Sequence, residues 1–145
     1  MKKIKLSTLG SLIDRTNEVP ARKLDYLFIQ QGWYRILDCG IYGSTGILSM
    51  INIFNTSITK AIIFQYAISY GSPLFISKIS PDSSYFTKAR VLTKWGERSF
   101  LEVFYSIGTE NETTIMLSAC PYPDLVESVI PGNIPAGYTA TEFVL

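Results

Sequence analysis

The sequence contains no histidine among its 145 residues. That absence removes the side chain that acid–base catalysis near neutral pH, Ser-His-Asp and Cys-His nucleophiles, and most transition-metal sites draw on first. Charge is scarce as well: Asp, Glu, Lys and Arg make up 17% of the chain, against the roughly 25% usual for a soluble domain. The 13 basic and 12 acidic residues leave a net charge of +1, so no long-range field exists to hold a polyanion, and nucleic acid is not an expected partner. Cysteine occurs twice, as Cys39 and Cys120. Both lie in apolar, strand-like surroundings and read as a reduced, buried pair, and two thiols without histidine make no zinc site. Long apolar runs are missing too. The longest, Ala61 to Ile68, contains Gln65 and falls far short of the ~20 residues a membrane-spanning helix needs. Met1-Lys2-Lys3-Ile4-Lys5-Leu6 has the charge of a signal peptide, but Ser, Thr, Gly, Asp and Arg soon break the apolar run that would have to follow. Neither a secretory signal nor membrane insertion is expected.

Carboxylate chemistry of the glycosidase kind remains open, since it needs only two Asp or Glu converging on a cleft. Asp38 and Glu102 are the pair to consider, because each interrupts an apolar strand. The same two residues read equally as solvent-facing charges in alternating strands, and that reading is preferred, so no catalytic residue is expected. Gly40-Ile41-Tyr42-Gly43-Ser44-Thr45-Gly46 is glycine-rich, yet it carries no lysine and opens onto a strand, so it reads as a hairpin loop and offers no phosphate cradle. No cofactor and no metal are implied.

What the chain does have is apolar and aromatic bulk: 47% hydrophobic residues, nine Tyr and eight Phe. Its length suits one domain with one core. From Trp33 the pattern alternates with period two and is punctuated by turn residues, predicting strands near 33–39, 46–54, 60–70, 73–79, 86–94, 99–106 and 112–119. In 60–70, Ile62, Phe64, Tyr66, Ile68 and Tyr70 share one face, which is core or interface. Lys94-Trp95-Gly96-Glu97-Arg98 predicts a hairpin joining two antiparallel strands, with the Lys88, Arg90 and Lys94 row near Glu102 for cross-strand ion pairs. The proline-rich run after Cys120 can serve only at an edge or across the surface, and Thr-Glu-Phe-Val-Leu at the end suggests a last strand. The expected architecture is an all-β, antiparallel, jelly-roll-like sandwich over residues 32–145, preceded by a short N-terminal extension, residues 1–31. Within that extension Leu6, Leu9 and Ile13 fall at helical intervals, and Tyr26-Leu27-Phe28-Ile29 is a short helix or strand that packs on the main body or on a neighbouring subunit.

The succession of Gly32-Trp33-Tyr34-Arg35-Ile36-Leu37, then Phe86-Thr87-Lys88-Ala89-Arg90-Val91-Leu92, then Phe100-Leu101-Glu102-Val103-Phe104-Tyr105, then Thr114-Ile115-Met116-Leu117 resembles the β-sandwich modules of bacteriophage tail-fibre and head-fibre proteins, including those of crAss-like phages. The resemblance implies a non-enzymatic virion protein, assembled in the host cytoplasm. It further implies a homo-oligomer, a dimer or trimer, that docks on capsid or tail proteins. Attachment would run through the N-terminal segment, with Leu6, Leu9, Ile13, Tyr26 and Phe28 as contacts, leaving an exposed domain to meet a host-surface glycan or protein. The residues themselves also fit a stand-alone carbohydrate- or protein-binding module. Trp95 at a hairpin tip suits stacking on sugars or partner surfaces. Tyr42, Tyr70, Tyr85, Tyr122 and Tyr138 fall at loops or strand ends, where they form an aromatic rim or simply pack the sandwich ends. Trp33 and Arg35 read as a core aromatic and a surface or strand-edge cation, in preference to a ligand-binding pair.

Overall fold

In the computed structural model, residues 22–54, 57–80, 85–121, 123–131 and 133–145 are described. They form ten strands: β1 (Arg22–Phe28), β2 (Gly32–Asp38), β3 (Gly43–Phe54), β4 (Ser57–Ser69), β5 (Ser72–Ser80), β6 (Phe86–Thr93), β7 (Phe100–Tyr105), β8 (Asn111–Cys120), β9 (Asp124–Pro131) and β10 (Thr139–Val144). Two five-stranded antiparallel sheets result, with orders β1-β8-β3-β4-β5 and β10-β6-β7-β2-β9. The long-range pairings β1–β8 and β2–β7 are nested as in a jelly roll, whereas β3-β4-β5 and β6-β7 are meanders. The sandwich expected from the alternation is therefore present, and the seven strands expected between residues 33 and 119 correspond to β2 through β8.

Alternation does the folding work because a sheet buried on one face needs an apolar side chain at every second residue. In β4, Ile62, Phe64, Tyr66 and Ile68 all point into the core. In β7, Leu101, Val103 and Tyr105 point in, while Phe100, Glu102 and Phe104 take the outer face. Each large side chain enclosed this way contributes about 1.5–3 kcal/mol. One end of the core is filled by aromatic rings: Phe28 meets Tyr34 and Phe86 edge-on at 5.0 and 5.1 Å and the tilted ring of Tyr105 at 5.2 Å between centroids.

Five expectations are corrected. The sandwich begins at Arg22, not at residue 32: β1 pairs with β8 from Arg22↔Leu117 to Phe28↔Asn111. Ile29-Gln30-Gln31 is the connection that carries the chain from one sheet to the other. Consequently Tyr26 and Phe28 are not anchors or subunit contacts; both are enclosed in the core of their own chain. Leu6, Leu9 and Ile13 lie outside the described residues. The Gly40–Gly46 segment is not a hairpin loop either. β2 and β3 belong to different sheets, so residues 39–42 form an arch across the sandwich and β3 already starts at Gly43. Cys39 is buried as expected, but Cys120 is exposed, because it shares the outer face of β8 with Met116 and Ser118 while Ala119 beside it packs on the core.

Glu102 is the fifth correction. It is not a solvent-facing charge but is fully enclosed, 0% exposed, on the outer face of the second sheet. Register explains this: Glu142↔Arg90, Arg90↔Glu102 and Arg35↔Glu102 place alternating charges in one row across β10, β6, β7 and β2. The Arg90 Nε donates to Glu102 at 2.7 Å, and Arg35 donates from Nη2 at 3.2 Å and Nε at 3.3 Å. The arginines are in turn roofed by rings, Arg90 4.3 Å from Trp33 and Arg35 4.0 Å from Phe100. The expected pairing of Arg90 with Glu102 thus forms, and Arg35 joins it as a second partner.

Candidate ligand-binding site at one end of the sandwich

Strand directions bring four connections to the same end: 39–42 after β2, 70–71 after β4, 94–99 after β6 and, after β8, the one to which Pro121 and Pro123 belong. A bulge in β2 prepares this end. Between Arg35 and Leu37 the register with β7 shifts by one residue, so Ile36 and Leu37 both face the core. The alternation is reset, and Asp38 is turned away from the core. A bulge of this kind is a common way to re-aim one side chain.

Asp38 meets Arg98 there. The Arg98 Nε donates to both carboxylate oxygens of Asp38, at 2.8 and 2.9 Å, and the Gly40 amide donates to Asp38 at 3.0 Å. The Arg98 Nη2 lies 3.8 Å from Asp124, whose side chain is 75% exposed. The Asp38 contact, by hydrogen bond first and charge second, holds the Arg98 guanidinium even more firmly in its charged form. Backbone bonds tie the connections together: Cys39 N–H to Ser99 O at 2.8 Å and Ser99 N–H to Gly40 O at 2.9 Å. Between them opens a cleft of about 200 Å³ whose lining includes Asp38, Tyr42, Arg98, Pro121, Pro123 and Asp124. Cys39 lies at its base. Burial, reinforced by the Asp38 charge, pushes its thiol up to about 12, so at neutral pH it is a protonated, unreactive group.

Tyr42 is shared between this cleft and an aromatic ladder. Its ring stacks on Tyr70 at 6.2 Å and 28°, and Tyr70 meets Trp95 edge-on at 4.6 Å. Tyr42 is 82% exposed and Trp95 76%. Gly71, at φ +65°, makes the approach possible: a Cβ there would sit 3.1 Å from Cε3 of the Trp95 indole. The hydroxyls of Tyr42 and Tyr70 and the indole N–H of Trp95 make no hydrogen bond among the described residues.

Three of the aromatic residues singled out from the sequence, Tyr42, Tyr70 and Trp95, thus converge. Tyr138 stands at the same end but lies against the outer face of the second sheet: its hydroxyl donates to Arg98 O at 2.9 Å and its ring rests on Phe100 at 5.9 Å. It braces the 94–99 connection. Tyr85 does not belong to the rim. It lies at the opposite end, packed on Tyr105. Tyr122 falls outside the described residues. Asp38 and Glu102, the pair considered for carboxylate chemistry, are not brought together in this cleft; each is occupied by its own arginines, and Glu102 is not in the lining. Arg98 and Asp124 had no signal in the sequence, because Arg98 reads as a turn residue and its partner Asp38 lies sixty positions away.

Compared with known families, curated proteins and solved structures, the chain has no match. Its chemistry is therefore read from the geometry: flat rings open to solvent beside a fixed row of hydrogen-bonding groups. Among the described residues no cluster of three His, Cys, Asp or Glu is placed to hold a metal, and no helix is long and apolar enough to cross a membrane.

Proposed function

We propose that this chain is a non-enzymatic recognition module that takes its ligand at the loop end of the sandwich. One observation carries this reading: the Tyr42–Tyr70–Trp95 ladder, with its two outer rings open to solvent, runs into a cleft walled by the Asp38–Arg98 pair. Exposed Trp and Tyr in such a cluster supply large contact area at low entropic cost, which is what binding hot spots use. The test is retention of the labelled chain on bacterial cell-envelope preparations. Binding that disappears with Trp95→Ala and Tyr42→Ala supports the loop-end site, whereas binding unaffected by both removes it.

The virion setting implied by the resemblance is a second reading, favoured by the outer face of the first sheet. Leu27, Ile47, Phe75 and Met116 are exposed there, and β3, the middle strand, carries no charged residue along its length. A face of this kind suits packing against further copies, with the loop ends turned outward toward a host surface and virion proteins as neighbours. Light scattering in solution tests it. A dimer or trimer is expected, and a monodisperse monomer at micromolar concentration rejects the oligomeric appendage.

A further inference from the structure

We propose that the loop-end ligand is an uncharged pyranose glycan, an inference that rests on the recognition reading above. A pyranose has one flat face of C–H groups and a rim of hydroxyls. The C–H groups, made partly positive by neighbouring oxygens, are attracted to the negative face of an aromatic ring. Tyr42 and Trp95 offer two such faces, with Tyr70 between them fixing their spacing.

The hydroxyl rim needs donors and acceptors set beside those faces, and the cleft supplies both. Arg98 lines the cleft; it has five N–H donors and uses its Nε in the Asp38 contact, which leaves the terminal nitrogens outside that contact, Nη2 3.8 Å from Asp124. Asp124 presents carboxylate oxygens at its rim. The free phenol and indole groups add donors at the ring edges. Asp38 acts here as a positioning residue. It accepts from Arg98 and from the Gly40 amide, which fixes the guanidinium before any ligand arrives.

Charge selects against the acidic members of this ligand class. Among the described residues at this end, Asp38, Glu97 and Asp124 stand against Lys94 and Arg98, three negative and two positive, and Arg98, the cation in the cleft lining, is already paired. A sialic or uronic acid carboxylate in the cleft would meet Asp124 beside an Arg98 already held by Asp38, while Lys94 stands outside the lining, so exclusion operates by repulsion.

The experiment is an array of neutral, sialylated and uronic-acid oligosaccharides, followed by calorimetric titration of the best neutral binder into the full chain and its variants. Neutral glycans should bind. Trp95→Ala and Tyr42→Ala should each weaken binding by roughly tenfold or more, with unchanged thermal unfolding showing that the fold is intact. Asp38→Asn should weaken it less, and Asp124→Asn should raise the signal from acidic glycans. Absence of neutral-glycan binding, or preference for acidic glycans, overturns the ligand class. If envelope retention still depends on Trp95 in that case, the recognition site stands with another ligand. Neutral-glycan binding indifferent to Trp95 and Tyr42 overturns the site itself.

Discussion

The two ends of this sandwich use the same residue types in opposite ways. At the end formed by residues 29–31 and 106–110, tyrosine is a plug. Tyr34 is enclosed and its hydroxyl donates to Gln30 O at 2.6 Å; Tyr105 is 0% exposed and its hydroxyl donates to Thr109 O at 2.7 Å. Each ring fills the core and each hydroxyl closes a loop four residues away, so nothing is left for a partner. At the other end Tyr42, Tyr70 and Trp95 stack on one another outside the core and leave their polar groups unused. Aromatic content alone therefore says little about binding. What separates packing from recognition is whether a ring's polar handle has been spent inside the molecule.

Truncating the plug should be costly and truncating the platform should not. Tyr105→Ala removes a ring that touches Phe28, Tyr34, Tyr85 and Phe86 and should cost about 3–5 kcal/mol. In denaturant titration, a loss below about 1 kcal/mol would mean that this end is not the packed core described here. Glu102→Ala, on the sheet between the ends, should cost a comparable 3–5 kcal/mol by leaving Arg35 and Arg90 enclosed without their acid. Gly71→Ala should be milder, about 1–2 kcal/mol from its left-handed backbone, but it also pushes on the Trp95 indole. A change in tryptophan emission that is absent from Trp95→Ala carrying the same substitution would trace the effect to that contact.

Alkaline pH separates folded from unfolded states through buried groups. Burial, then the Tyr85 and Tyr34 phenols, pushes Tyr105 up from 10.0 to about 12, and Cys39 rises from 9.0 to about 12. In both cases the unfolded chain gives up a proton that the folded chain keeps. Their contribution to stability is thus complete below about pH 9 and is lost as pH climbs toward 12. Urea midpoints should be flat in this respect between pH 7 and 9 and fall above it; an unchanged midpoint at pH 11 would contradict the enclosure of these groups. The smallest effect is expected at the platform, where Trp95→Ala should leave stability within about 0.5 kcal/mol.

Strand existence was legible because it rests on a local rule. Seven segments alternate, and β2 through β8 follow them. β1 was hidden because Tyr26 and Phe28 form too short an alternating run to be told from a helical turn. β10 was legible as the last strand in Thr-Glu-Phe-Val-Leu, whereas β9 was obscured by prolines that are tolerated at the sheet edge it occupies. Tyr42, Tyr70 and Trp95 could be singled out because aromatic residues at turns break the pattern. Tyr85 broke it in the same way yet packs inward, since a turn position does not say which way a ring will fold.

The sequence by itself determined the all-β class, most strands, the face each core residue takes and the scarcity of reactive groups. All of these follow from the period of two and from composition. Only the tertiary structure decided that Glu102 is enclosed between two arginines, that a bulge turns Asp38 toward Arg98, and that three aromatic residues from separate connections form one surface. The physical reason is that alternation specifies a side of the sheet but not a neighbour. Neighbours are set by strand order and register, which bring together residues far apart in the chain.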